Sequence, residues 1–463
     1  MPVLIRRLSV LLLFGVVLVQ PMPVAAATDV GHEGPAYTSS APTGEKPESK
    51  AWFNDGFWWA SMWDTGSSRY EIFKLSTGTQ TWSSTDIALD SRSGTKADTL
   101  WDGTNLYVSS HVFSLSPATG YPSYLYRFSY NPGTDTYTPD GGFPAQINNY
   151  RSESLVIDKD STGQLWATWT FGSRVYVNRT LTADSVWGTP FQLPNASQVA
   201  SDDISSLIHF DSDKIGVFWG DQRGATFRYA THTDSDTIDT NWSTVVSVLP
   251  GPKSADDHMN LKSLSTDGTG RVFAAVKTSK TNSTDPIIQL MVRTKTPTVK
   301  WTAYTIWKVA DKLTRPIVLL DLTANVIHVF ATTEGGGKVY EKTSSLSSIG
   351  FGSGLGTIRM FDASANGIND STSTKQNLNS TTGLMVLASN DLTKRYWHHY
   401  ASLGGGGNVA PVCNTVNANV PFNSLGVDIA PSCTDANGDT LVYAIGTSVI
   451  PNKGTATING TQL

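Results

Sequence analysis

The stretch KADTLWDGTNLYVSS, residues 96–110, decides the fold. A short apolar strand runs into an Asp-Gly turn, and a second strand rich in aromatic and β-branched residues follows at once. An Asp-led turn of this kind reverses the chain into an antiparallel hairpin. The same sentence returns as SESLVIDKDSTGQLWATWT (152–170) and NLKSLSTDGTGRVFAAVKT (260–278), with weaker copies between them. Repeats of about 20 to 50 residues or slightly more, built only from short strands, specify small sheets arranged radially.

Aligning each copy on the first apolar residue of its second strand gives Trp58, Leu106, Leu165, Ile215, Val272, Ile327 and Leu384, spaced 48 to 59 residues apart. Seven anchors predict seven blades. Third strands are expected from Tyr70, Tyr124, Arg174, Thr226, Ile288, Lys338 and Arg395. Fourth strands are marked by Trp82, Tyr137, Trp187, Trp242 and Trp301, with a sixth near 349–354. The seventh copy has no fourth strand, because it runs into the glycines 404–407. GPAYTSSAPTGEKPESKAW, from Gly34, reads as the tail of one repeat joined to the start of the next. A strand near Ala36–Ser39 is therefore expected to complete the last blade, removing the edges an open array would expose.

Composition supports an all-β chain of ordinary charge. Among 463 residues are 14 Trp, 16 Tyr and 17 Phe with 40 Gly, and the net charge of -5 offers no basic face for nucleic acid. Arg6 and Arg7 precede an apolar run, 8–19, and Ala25-Ala26-Ala27 follows. This has the form of a secretory signal and is shorter than the roughly 20 residues that span a bilayer. The expected location is secreted or cell surface, with no transmembrane segment after signal removal. The expected division is 1–27 signal peptide, 28–403 propeller, 404–408 glycine-rich linker and 409–463 a further module.

That last module changes style. Its APVC opening, SCTDANGDTLVYAI core and PNKGTATING ending resemble the cadherin-like, immunoglobulin-like repeats found in tandem on bacterial surface proteins. Such sandwiches run to about 100 residues, so about 55 residues make a partial one. The fold class is thus all-β, a seven-bladed β-propeller closed by an N-terminal strand, followed by a partial immunoglobulin-like β-sandwich. The likeness implies a monomer within a longer multi-domain chain. Cys413 and Cys433, the sole cysteines, fall in this module and read as a disulfide in an exported protein. Asp435, Asn437 and Asp439 alternate oxygen ligands around Gly438. The resemblance implies calcium at such a place, while the same residues also make a good turn.

The turns DSTGQLW (160–166) and DGTGRVF (267–273) resemble the Asp-containing turns of sialidase-like propellers. The Thr/Trp ending of the sialidase turn is not reproduced, and no arginine triad can be assigned. The resemblance implies blade architecture and not sialidase activity.

Propeller ligands are expected where loops enter the innermost strands and leave the second strands. The entrances offer Lys50, Asp98, Arg151, Glu153, Asp202, Asp203, His258, Lys262, Arg315 and Lys375. The exits offer Trp63, Asp64, His111, Trp169, Trp219, Asp221, Arg223, Lys277, Glu334 and Asp391. Aromatic faces beside acids and cations suit a sugar, whose rings stack and whose hydroxyls hydrogen-bond. The charges serve equally as pairs between blades, and the tryptophans as packing. From this set Trp63, Asp64, Asp98, His111, Arg151, Glu153, Trp169, Trp219, Asp221, Lys262 and Arg315 are the candidate ligand contacts.

Glycoside hydrolysis needs two carboxyl groups roughly 5 to 10 Å apart. Asp98 with Glu153, or Asp64 with Asp221, are the candidate pairs, and nothing in the sequence selects between them. HExxH, Walker, GxSxG and CxxC motifs are missing, and adjacent His398 and His399 point to opposite faces of one strand. No cofactor is expected beyond calcium in the last module. Two functions remain: recognition of a glycan or surface polymer, and a carbohydrate-active hydrolase or lyase.

Overall fold

The computed structural model describes residues 28–264, 269–403, 412–414 and 432–434. Seven antiparallel sheets stand around a channel, each beginning with an innermost strand. Those innermost strands are Ala51–Asn54, Thr95–Trp101, Val156–Lys159, Ser205–Phe210, Met259–Ser263, Leu313–Asp321 and Ile368–Thr372 in blades 1 to 7. All seven anchors fall at the start of second strands, and the third strands lie where the repeat places them.

The turn explains why the repeat is legible. Asp102 Oδ1 accepts the N–H groups of Thr104 and Asn105. Asp321 does the same for Thr323 and Ala324, as does Asn390 for Leu392 and Thr393. A side chain that satisfies two turn amides fixes the reversal locally, before any packing. Asp160 adds a further bond, since its Oδ2 accepts the Trp166 indole N–H at 2.8 Å.

Fourth strands follow the pattern less closely. Trp82, Tyr137 and Trp301 lie in theirs, while blades 3, 4 and 6 end in Phe191–Gln192, Val246–Ser247 and Thr357–Met360, several residues beyond the markers Trp187, Trp242 and 349–354. Outermost strands pair on one side only, so their position is fixed less by burial than by where the loop returns. Blade 2 carries an extra strand, Ala145–Arg151, beside Ala118–Asn131.

The ring closes with the N-terminal segment. His32–Ala36 pairs antiparallel with Arg395–Ala401, His32 opposite His398 and Ala36 opposite Arg395. Its register slips between Glu33 and Ala36, around Pro35, which has no N–H to give to a ladder. The strand sits slightly earlier than Ala36–Ser39; Tyr37 N–H still bonds Lys394 O, while its buried ring donates its hydroxyl to Asn390 O at 2.9 Å.

Beyond Tyr37 the chain turns inward. The Ser49 carbonyl accepts Thr99 N–H in blade 2, Lys50 N–H donates to Ser373 O in blade 7, and the Glu48 carboxylate accepts Leu155 N–H ahead of blade 3. Residues 43–50 thus form a plug tied to several blades. The cores lie between blades and are strongly aromatic, with Trp52, Trp58, Trp59, Trp166 and Trp397 fully buried. His398 is buried and His399 half-buried, as opposite faces require.

The segments expected to be signal and linker, and the expected calcium ligands Asp435, Asn437 and Asp439, lie outside the described residues. Val412–Asn414 pairs with Ser432–Thr434, and Cys413 stands opposite Cys433. No helix among the described residues is long and apolar enough to cross a membrane.

Candidate functional site

On the entrance side of the channel, the plug and neighbouring blades tie up much of the charge between them. Glu48 is fully buried between Lys50 at 2.7 Å and His111 at 2.7 Å. Burial alone raises its carboxyl, but Lys50 and His111 outweigh this and hold it down at about 2. Asp98 is 0% exposed, with one oxygen on Ser49 N–H and the other on Ile157 N–H and the Lys375 ammonium. Lys46 bridges Glu153 and Asp257, and Arg315 pairs with Asp370.

The candidate acid pairs do not form. Asp98 is locked among backbone amides, so it cannot face Glu153 across an open cleft. Asp64 caps the turn at Ser67, and Asp221 accepts Gly224 N–H while pairing with Arg228 at 2.9 Å. Each closes a turn in a different blade. Arg151 is likewise engaged, donating to Ser116 O and lying over the Tyr121 ring.

Glu153 stands apart among these acids. Burial drives its carboxyl up, Lys46 opposes this, and the outcome is about 7. Its Oε2 has no hydrogen-bond partner. Asp203 is raised to about 6, chiefly by burial, although Ala200 and Gln222 amides bond it. Asp256, Asp257 and His258 bring their ligand atoms within 4.8 Å of one another. Lys277 lies 2.9 Å from Asp256, and Lys46 sits on Asp257, so ammonium groups already neutralise that cluster.

Trp63, Trp169 and Trp219 are 4%, 0% and 0% exposed. They are not platforms for a ligand. Trp169 stacks on Tyr176 at 12° between ring planes, and Trp219 lies in the core between blades 3 and 4. At the exit of a second strand the alternation points these side chains into the packed face, so sequence position places them near the channel face while the pleat turns them away.

One open space lies beneath the plug, at the far ends of the innermost strands. A cavity of about 200 Å³ is roofed by Pro47 and Ser49 and walled by residues of blades 2 to 5 and 7. Trp101, half-buried, stands in its wall with Tyr130 and Tyr137 edge-on behind it at 6.3 and 6.1 Å. Ser206 and Asn377 bring a hydroxyl and an amide, and the Asn377 Oδ1 has no partner, whereas the Ser263 hydroxyl donates to His209 O and the Gln376 amide is bonded to the Phe53 backbone.

Lys262 and Lys375 also reach this cavity. Both were expected at strand entrances, yet Lys262 sits near the end of Met259–Ser263 and Lys375 follows Ile368–Thr372. Trp101 escaped the sequence criteria, which looked only before first strands and after second ones. Its signal was available: it ends an innermost strand with a large aromatic directly before a turn-forming Asp.

No protein-family model matches this sequence, and no curated protein does. Among solved structures, the periplasmic gluconolactonase PpgL of Pseudomonas aeruginosa is 11% identical, covering 72% of this chain and 89% of that one with a TM-score of 0.48. The NanB sialidase of Streptococcus pneumoniae is 10% identical over 65% of this chain and 68% of its own, TM-score 0.38. A mutant of AofleA from Arthrobotrys oligospora is 9% identical over 68% and 88%, TM-score 0.44. Similarity at this level has no bearing on activity, and the chain's own strand order is what identifies it as a seven-bladed all-β propeller.

Proposed function

We propose that this chain is a secreted or cell-surface recognition protein whose propeller binds one saccharide unit of a glycan or surface polymer, without turning it over. The observation that carries this is the cavity beneath the plug, where half-buried Trp101 stands among hydroxyl and amide side chains. An aromatic face with convergent polar groups is the composition that holds a sugar ring. At about 200 Å³ the cavity is below the roughly 300–1,000 Å³ of drug-sized sites, which limits it to one small unit. In this reading residues 409–463 are an immunoglobulin-like spacer, with a Cys413–Cys433 bridge and calcium on Asp435, Asn437 and Asp439. The opposed positions of the two cysteines support the bridge.

The alternative, a hydrolase or lyase, draws on one feature: Glu153, held at about 7 with an unbonded oxygen, is poised as a proton donor. Against it, Asp257, which shares the Lys46 ammonium with Glu153, is itself committed to His258 at 2.7 Å. A glycan array followed by a product assay on the bound sugars tests the proposal. Binding that Trp101→Ala abolishes, with no product formed, is the expected result. Turnover that Glu153→Gln removes would establish the enzyme instead.

A further inference from the structure

Lys262 is 3% exposed, and its ammonium makes one hydrogen bond, to the neighbouring Leu261 carbonyl at 3.1 Å. An ammonium carries three donors. Among the described residues no carboxylate lies within ion-pair distance of it. The second lysine of the cavity, Lys375, is already spent on Asp98 at 2.9 Å. The acid in the wall, Asp158, gives its oxygens to the N–H groups of Lys159 and His209. The cavity therefore presents a buried cation whose donors are unmet and whose surroundings hold no free anion.

Resting on the saccharide reading of this cavity, we propose that the unit it takes is acidic, a sugar bearing a carboxylate, and that Lys262 is the group that recognises it. A carboxylate is acceptor-only and matches the unmet donors of Lys262, while Trp101 holds the apolar face of the same ring. A buried charge left unpaired is costly, and a ligand that completes the pair removes that cost on binding. Burial, followed by repulsion from Lys375, lowers the Lys262 amine to about 7. Above neutral pH the free protein thus holds a largely neutral amine, and an incoming carboxylate must draw a proton onto it. Affinity for the acid then falls as pH rises past 7, by up to about tenfold per pH unit.

Isothermal calorimetry with an oligogalacturonate and with its methyl ester, at pH 6, 7 and 8.5, tests this on the intact chain. The acid should bind at least about tenfold more tightly than the ester at pH 6, an advantage of about 1.4 kcal/mol, and most of that advantage should vanish at pH 8.5. At pH 8 its binding heat should vary with the ionisation enthalpy of the buffer, reporting proton uptake without any variant. Lys262→Met should erase the preference, so that acid and ester bind alike at every pH. Equal binding of acid and ester overturns this inference and leaves the saccharide reading intact. Binding of neither sugar, together with a glycan array that stays blank, overturns both. Inorganic phosphate competing as well as the acid would show an anion site indifferent to sugar and overturn the inference as well.

Discussion

Asp98 and Lys375 lie 2.9 Å apart, joining blade 2 to blade 7, and the same carboxylate receives the N–H groups of Ser49 and Ile157. One completely buried side chain therefore ties the plug, two neighbouring blades and the seventh blade together.

Removing that tie should be expensive. Asp98→Ala strands two buried amides and one ammonium, and breaking such a pair costs about 3–5 kcal/mol. Urea denaturation of the variant measures it. A loss under about 1 kcal/mol would show that water replaces the carboxylate at no great cost and that the tie is incidental.

Two tryptophans should separate stability from binding. Trp169→Ala empties a sealed site between blades and is expected to lose about 3–5 kcal/mol of stability. Trp101→Ala, at a half-buried position, should cost much less yet weaken glycan binding by about tenfold or more, since stacking carries about 0.5–1.5 kcal/mol beyond buried area. Thermal melts beside a binding titration check both. A Trp101→Ala protein that binds normally would remove the cavity from consideration.

The Glu48 cluster sets an acid limit. With a folded value of about 2, below the roughly 4.3 of an unfolded glutamate, Glu48 contributes stability that is intact above about pH 4.5 and is lost as pH falls toward 2. Glu48→Gln should be destabilised at neutral pH, and its deficit against the natural chain should shrink across that window. Glu153 runs the other way: its raised value means stability is greatest below about pH 4.3 and declines as pH rises through 7. Glu153→Gln should gain on the natural chain over that range. Parallel denaturation curves from pH 2 to 8 read both slopes, and parallel lines for either variant would contradict its assignment.

The seam should be a weak point. Tyr37→Phe removes the hydroxyl that bonds Asn390 O and should cost about 1 kcal/mol, whereas deleting residues 28–40 unpairs the outer edge of blade 7. Limited proteolysis of the deletion should cut first within 384–401. Cleavage elsewhere first would show that blade 7 holds without its fourth strand.

Blade number and the closing strand were legible because Asx turns such as those of Asp102, Asp321 and Asn390 are written locally, in residues next to the strands they join. The site was less so. Trp63, Trp169 and Trp219 carry the right chemistry at the right positions along the chain, but which way a side chain faces depends on the pleat, and a shift of one residue turns it over. Lys262 lies near the end of its strand rather than at the entrance its place in the repeat predicts. The plug was invisible because 43–50 has no periodicity. Its role arises from the Lys46 ion pairs with Glu153 and Asp257 and from the Ser49 N–H that Asp98 accepts, residues remote in sequence that only the closed ring assembles.

The strand that completes blade 7 meets its partner across a gap of 361 residues, between Gly34 and Arg395. Closing so large a loop is a late and slow event in folding, because its entropy is lost before any contact rewards it. Until then His32–Ala36 and the plug lack the partners in blade 7 that fix them, while the hairpins between can form without them. The channel floor is consequently open to solvent through most of folding and acquires its roof in the same step that makes the ring whole.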